Sequence, residues 1–225
     1  MTPNIFDFFS RLEQNNNRPW FQEHKAEYDA IRAQWIAGMA RIIQTVSQHW
    51  PEVKYLDPAR CTYRIYRDVR FSNNKTPYKT HISSSVYNPS LKGMHTGLYI
   101  EAGTGNGDPG TGVYAGIWCP ESDVLKKLRK AIADNAEEFL DIVNEPEFVR
   151  VYGRQWLGDK LKTAPKGYEK DHPMIEYLRL KDIGKFAPLP RQVFDRDDWP
   201  EVVAQAAIPA IPLIKFLDYS ITEQV

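Results

Sequence analysis

Four short runs decide the fold: Cys61-Thr-Tyr-Arg-Ile-Tyr-Arg67, Thr80-His-Ile-Ser-Ser-Ser-Val-Tyr87, Thr96-Gly-Leu-Tyr-Ile-Glu-Ala102 and Gly112-Val-Tyr-Ala-Gly-Ile-Trp118. Each is rich in Tyr, Ile, Val, Thr or Ser, and apolar residues recur with a period of two, as in half-buried strands. The connections between them are too short for crossover helices, apart from the 12-residue insert at 68–79, so an antiparallel meander is expected. Alternation then separates two faces. Tyr63, Ile65, Ile82, Val86, Leu98, Ile100, Val113 and Ile117 fall on an apolar face that should pack against helices. Arg64, Tyr66, His81, Ser83, Ser85, Tyr99, Glu101, Tyr114, Gly116 and Trp118 fall on the other. Small residues beside aromatic and ionisable ones suit a ligand-pocket floor, or a sheet face half covered by a C-terminal helix. A one-residue slip in any strand would exchange the faces.

Helical periodicity brackets these strands. Phe6, Phe9 and Leu12 form a short amphipathic set ended by Asn15-Asn16-Asn17. Asn17 is then a cap and Pro19 a first-turn residue for a longer helix carrying Tyr28, Ile31, Trp35, Met39, Ile42, Val46 and Trp50, stopped by Pro51. Spacings of 3, 4, 4, 3, 4 and 4 bury one stripe. Pro120 opens a helix with Val124, Leu125, Leu128 and Ile132 on one face, and an acidic helical piece follows at about 135–150. A short helix is expected near 173–181. Asp197 or Asp198 caps a final helix that Pro209 and Pro212 must bend or break. Strands grouped between runs of helices predict an α+β fold: a single domain over 1–225, with a central, mostly antiparallel sheet at about 61–67, 80–87, 96–102 and 112–118 packed against N-terminal, middle and C-terminal helices.

The chain has 225 residues, with 29 Lys+Arg balanced by 29 Asp+Glu, 42% hydrophobic and 26% charged. Zero net charge argues against a protein that coats nucleic acid or membrane with its whole surface. A chain of this length buries roughly 70–75% of its unfolded surface and needs no covalent staples. Cys61 and Cys119 make no disulfide framework and no CxxC metal clamp. Met1–Asp7 lacks the basic and apolar regions of a secretion signal, and the charge-free apolar run from Val202 to Ile214 is short of the roughly 20 residues that span a bilayer. A soluble, cytoplasmic protein without a membrane partner is the expectation.

The balance hides a local imbalance. Between Arg60 and His81, six basic residues face one acid, an excess of five, while 134–147 holds Asp134, Glu137, Glu138, Asp141, Glu145 and Glu147 and no Lys or Arg. Arginine presents a planar fork of donors suited to carboxylate or phosphate, so Arg64, Arg67 and Arg70 with Lys75 and Lys79 can form an anion cradle. The equally economical reading is a structural network, with the arginines bound to backbone carbonyls and to the acidic helix. Asp68 either holds one guanidinium or serves as a base.

Other features are weaker. Gly105-Asn-Gly-Asp-Pro-Gly110 matches GxGxxG, but a strand follows, so no helix N-terminus would receive a pyrophosphate and a hairpin loop is expected. Lys160–Pro173, with Lys166 and His172, reads as a solvated loop or as a lid over the arginines. GxSxG, GxxxxGK[ST] and HExxH are missing, and His24, His49, His81, His95 and His172 are too scattered to suggest a metal site. Asp68, His81, Glu101 and His172 are the acid–base candidates. No cofactor is indicated.

At Arg64, Arg67, Asp68, Arg70, Phe71, Asn74, Lys75 and Tyr78 the chain resembles a mainly bacterial family, the domain of unknown function 2461 family, through its motif RxxRDxRFxx[DN]KxxY. Asn74 stands where many members carry Asp. Asn16–Phe21 with Tyr28, Leu161–His172 and the helix after Pro120 extend the resemblance over nearly the whole chain, while Ala115-Gly116-Ile117 is poorer in glycine than the family pattern. The resemblance implies the extent of the fold and the place of a site, and no reaction. Three hypotheses follow. The first is an anionic small-molecule site, phosphate-ester-like, in which Arg64, Arg67, Arg70, Lys75, Tyr78 and Lys79 hold the anion. Tyr66, Tyr99 or Trp118 stack on the organic group, Lys166 and His172 approach from the loop, and Asp68 and His81 handle protons. The second is a module that docks the same basic patch on nucleic acid or an acidic protein, nucleic acid being the less favoured. The third is a purely structural arginine network.

Overall fold

Asn4 opens the first helix, α1 (Ile5–Gln14), by accepting hydrogen bonds from the Phe6 and Asp7 amides, and α1 turns Phe6, Phe8, Phe9 and Leu12 inward. In this computed structural model, which describes residues 4–91, 96–104, 110–156 and 158–222, Asn17 caps α2 (Arg18–Glu23) through the Trp20 amide. The long helix expected from Asn17 onward is two helices. His24 ends α2 and begins α3 (Lys25–Val46); its ring stacks on Trp20 at 4.0 Å and its Nδ1 lies 2.9 Å from the Trp20 carbonyl oxygen. Every predicted stripe residue of α3 is buried. Trp50 is buried as well, but beyond the end of the helix, in the turn before Pro51.

The first expected strand is not one. Asp57 caps a single helical turn, α4 (Pro58–Cys61), so Cys61 ends a helix. The following segment meets residues 76–84 through isolated bridges, Thr62 to Ser84 and Tyr66 to Tyr78. Backbone bonds from the Tyr63 amide to the Ser83 carbonyl (3.0 Å) and from the Lys79 amide to the Ile65 carbonyl (2.8 Å) hold it. Thr62 and Ile65 are both buried, three residues apart, a spacing that strict alternation forbids. Tyr63 is therefore displaced from the apolar face to which alternation assigned it; its hydroxyl lies 2.8 Å from Ser85 Oγ, on the polar face.

Three expected strands form: β1 (His81–Tyr87), β2 (Thr96–Gly103) and β3 (Gly112–Ile117). A fourth, β4 (Ile183–Pro188), completes an antiparallel sheet of order β1-β2-β3-β4, and the fold is α+β. The sequence did not suggest β4, because its buried positions read Ile183, Lys185 and Ala187, and a lysine breaks the apolar alternation. Gly116 allows β3 and β4 to approach. At φ 133° it sits where a Cβ would stand 2.2 Å from the Ile183 carbonyl oxygen.

By its contacts the chain divides into two compact units. The first comprises Met1–Val86, Tyr99–Val113 and Pro188–Gln205. Its centre is Trp35, whose indole donates to Ser84 Oγ at 2.8 Å and stacks on Trp199 at 5.1 Å. Gly38 leaves the space that Trp199 fills. The second comprises Tyr87–Leu98, Tyr114–Ala187 and Ala206–Val225. It contains α5 (Ser122–Asp134), α6 (Ala136–Asn144), α7 (Pro146–Tyr152), α8 (Ile175–Leu178) and α10 (Ile211–Thr222). Phe139 of α6 packs there against Trp156, Tyr177 and Phe216. On α5 only Leu128 and Ile132 of the four expected apolar residues are buried.

Pro209 interrupts the last helical run as expected: α9 (Trp199–Ala207) passes through a 3-10 turn at Ile208–Ala210 into α10. Trp199–Thr222 spans 24 residues with a mean hydropathy of 1.3 over its most apolar 18-residue window, long and apolar enough to cross a membrane. However, 61% of that window is buried inside the protein, as in a core helix.

Candidate functional site

The arginine motif folds back on itself. Arg67 donates through Nη1 to the carbonyl and hydroxyl of Thr76, across the base of its loop. Arg70 grips both carboxylate oxygens of Asp68 (2.6 Å from Nη2 to Oδ2), and Lys75 donates to the Val69 carbonyl at 2.9 Å. Asn74 Oδ1 accepts from the amide and hydroxyl of Thr76, an Asx turn that closes the loop. Asp68 is exposed, and the bonds from Arg70, then the charge of Arg64, hold its carboxyl below the usual range. That is the state of a guanidinium anchor. A general base near neutrality requires the opposite shift. Tyr78 is buried, its ring stacked 4.2 Å from Phe21, and Asn16 braces its backbone through both the amide and the carbonyl. In this way Asn16, Phe21 and Tyr78, which belong to separate matching stretches of the sequence, meet in one contact.

Two cations of the segment behave differently. Arg64 is exposed and forms no hydrogen bond or ion pair with a described residue. Lys79 points over the Tyr63 ring, 5.1 Å from its centroid, and its ammonium is pushed below the ordinary lysine range by burial, helped by Arg64 and opposed by Glu101. Beside it lie the polar residues of β1 and β2. Glu101 is only 3% exposed, yet its one hydrogen-bonded partner among the described residues is the Tyr99 hydroxyl, which donates to Oε2 at 2.6 Å. Burial raises the Glu101 carboxyl, with Tyr99 and Lys79 acting in the other direction. His81 Nδ1 stands 3.6 Å from Glu101 Oε1, beyond hydrogen-bond length. Burial, reinforced by Lys79, pushes the imidazole down to about 4, so at neutral pH it is uncharged. Among the described residues, Ser83 Oγ, in a residue 2% exposed, completes no hydrogen bond of normal geometry, although it lies close enough to favour the ionised Tyr99 phenol.

This face thus gathers Tyr63, Lys79, His81, Ser83, Tyr99 and Glu101, all within the first unit. A buried carboxyl, a neutral imidazole and a desolvated ammonium with opposed shifts are the pattern of a site that binds charge or moves protons. Sequence alternation had placed Glu101, Tyr99 and Ser83 on one face. It gave no sign that Glu101 is buried, and it assigned Tyr63 to the opposite side.

The remaining candidates lie elsewhere. Tyr66 is half exposed beside Tyr78, with ring centroids 5.5 Å apart. Trp118, Lys166 and His172 belong to the second unit. Trp118 is exposed and meets Tyr114 edge to face at 5.7 Å; Lys166 is exposed; His172 accepts the Met174 amide through Nδ1 at 3.1 Å. The residues of the GxGxxG loop up to Pro109, together with His95, lie outside the described residues. Both cysteines are free thiols; burial pushes Cys61 up to about 11, and burial and Asp182 raise Cys119, so neither is activated. Among the described residues no three His, Cys, Asp or Glu side chains gather as a metal site.

Fold and site together define an α+β protein with a buried ionisable cluster at the foot of an arginine-rich hairpin. The chain belongs to the family described as conserved hypothetical protein (DUF2461), whose model matches residues 4–216 and so takes in the hairpin, the cluster and most of both units. Neither the curated proteins nor the solved structures contain a match.

Proposed function

We propose that the protein is a cytoplasmic receptor or enzyme for a small anionic organic molecule, of the phosphate-ester class, bound where the arginine-rich hairpin meets the polar face of β1 and β2. Arg64 and Lys79 hold the anion, the Tyr63 ring flanks the organic group, and His81 and Glu101 handle protons. The observation that carries this reading is the division of labour among the cations. Arg67, Arg70 and Lys75 turn their donors into their own loop, whereas Arg64 is open and Lys79 stands desolvated beside Glu101. An incoming dianion adds to the counter-charge that Glu101 gives Lys79, and it favours protonation of His81 and Glu101 beside it. Binding is then coupled to proton uptake by His81 and Glu101.

Thermal melts with inorganic phosphate, sugar phosphates and nucleotides test this, because a ligand of the native state raises Tm by mass action. A rise with at least one probe is expected in the wild type. It should be lost in Lys79→Met and Arg64→Ala and retained in Arg67→Ala, whose partner is Thr76. No shift with any probe, or a full shift in Lys79→Met, overturns the reading.

A further inference from the structure

Lys185 is buried and Lys79 half-buried, and their ammoniums are provided for differently. Lys185 donates to the Gly153 carbonyl and lies near the rings of both Phe148 and Trp156. Lys79 has the Tyr63 ring, 5.1 Å away, and no hydrogen bond or ion pair with a described residue. An ammonium carries three donors, and withdrawing it from water is unfavourable where nothing accepts them.

The groups around Lys79 converge on one face. The Tyr63 hydroxyl meets Ser85 of β1, the Tyr99 hydroxyl meets Glu101 of β2, and Glu101 Oε1 stands 3.6 Å from His81. The charges of Glu101 and Arg64 both act on Lys79, in opposite directions. Glu101 Oε1 accepts no hydrogen bond from a described residue, and Arg64 is open to solvent. An amine, a buried carboxyl and a separate guanidinium thus stand together. A site that only held an anion would gain nothing from a buried carboxyl beside its lysine. Amine chemistry on a carbonyl needs one, to take up and return protons.

We infer that Lys79 is a nucleophile, and that the site forms a Schiff base with a phosphorylated aldehyde or ketone whose phosphate rests on Arg64. This rests on the small-anion reading of the same cluster and narrows its ligand class. Lys79 attracts the ligand as an ammonium and reacts with it as an amine. Its ammonium gives a proton to the Glu101 carboxylate, the flexible lysine stem bringing the two together. The freed lone pair forms the N–C bond while the π pair of the carbonyl moves to oxygen. Glu101 returns its proton to that oxygen and collects a second from nitrogen. Delivered to the new hydroxyl, this proton releases water as the C–O bond breaks, and the nitrogen lone pair closes the iminium. One ammonium hydrogen stays on nitrogen, two leave in the water, and Glu101 ends as a carboxylate.

Dihydroxyacetone phosphate with sodium borohydride tests the inference, because hydride reduces an iminium to a stable secondary amine that peptide mass spectrometry locates. Labelling at Lys79 should exceed that at exposed Lys54 by about tenfold or more, since the bound carbonyl is held beside the amine. Uncharged dihydroxyacetone should label Lys79 about tenfold less, having no hold on Arg64. Glu101→Gln should slow labelling roughly a hundredfold. Lys79→Arg keeps a cation without a reactive amine, so the adduct should vanish while inorganic phosphate still raises Tm. The wild-type peptide map places the adduct without any variant. No adduct, labelling spread evenly over exposed lysines, or equal labelling by the two ketones overturns the inference. A phosphate-induced rise in Tm without an adduct at Lys79 overturns it alone and leaves the small-anion reading standing; the absence of both overturns both.

Discussion

The Tyr99 hydroxyl donates a 2.6 Å hydrogen bond to the carboxylate of Glu101, two residues further along β2. Residues two apart in a strand share a face, so the pair is fixed by the pleat itself. Among the described residues the carboxylate receives this single neutral donor, while lying almost wholly out of water.

Glu101→Gln should stabilise the protein at pH 7. Burial raises the folded-state pKa of Glu101 above its unfolded value, so the folded state holds the proton more tightly. Its contribution is most favourable in acid and is lost as pH rises through the folded value. Glutamine keeps an acceptor for Tyr99 without the charge. The variant should melt above wild type at pH 7, and the gap should close below about pH 4.3, where the unfolded carboxyl is itself protonated. A lower Tm at pH 7 would show that the charge is needed to balance Lys79.

His81 should remain neutral far into acid. Its imidazole is pushed down to about 4, against an unfolded value near 6.5. The unfolded chain therefore takes up this proton first, and stability falls as pH drops from about 6.5 toward 4. The groups facing it are Lys79, which opposes protonation, and Glu101, whose Oε1 lies 3.6 Å from Nδ1 without a hydrogen bond. A proton NMR titration should find the His81 midpoint near 4 in the free protein and higher with bound phosphate. A midpoint near 6.5 in the free protein would dissolve the cluster as described.

Gly116→Ala should be severe. Its Cβ would meet the Ile183 carbonyl oxygen at 2.2 Å and Gly184 Cα at 2.3 Å, backbone atoms that cannot rotate away, from a φ of 133°. Overpacking and backbone strain together cost about 2–4 kcal/mol. For a chain of this length that lowers Tm by roughly 5–15 °C. Gly158→Ala, with nothing within 4 Å, is the control and should melt like wild type.

Lys185→Met should remove an alkaline gain in stability. Burial pushes the Lys185 ammonium down to about 8, while its Nζ donates to the Gly153 carbonyl and lies 5.3 Å from the Trp156 ring centroid. The unfolded amine keeps its proton to about 10.4, so wild-type stability should rise between pH 8 and 10. Melts at pH 7.5 and 9.5 should show that rise in wild type and a flatter response in Lys185→Met. Equal slopes would mean that water reaches the ammonium.

The same lysine shows where the sequence stopped being informative. Helices α1 and α3 and strands β1 to β3 were legible because their apolar residues recur at the period of the element, even though buried Ser83, Ser84 and Glu101 stand between them in the strands. In β4 a buried position is Lys185, so the pattern that marks a strand is broken by the residue least expected inside. The 61–67 run failed for another reason. Its β-forming composition is right, but Asp57 and Pro58 start a helical turn, and the two buried residues after it are three apart. At the site, the arginine motif was conspicuous and its inward bonds were not. Whether an arginine reaches a carbonyl nine residues away depends on loop closure, which local spacing does not encode. Glu101, read as one acid–base candidate among four, is distinguished only by burial, and burial is a property of the assembled fold.

The segmentation of the first unit has a consequence for synthesis. Trp35 and its stacking partner Trp199 come from the first and last of its three segments. At a translation rate of about 5–20 residues per second, the slot above Gly38 waits roughly 10–30 s on the ribosome before Trp199 emerges to fill it. Through that interval Trp35 lacks both of its stacking partners, Phe194 and Trp199. The core of the first unit is therefore completed only when almost the whole chain has been made.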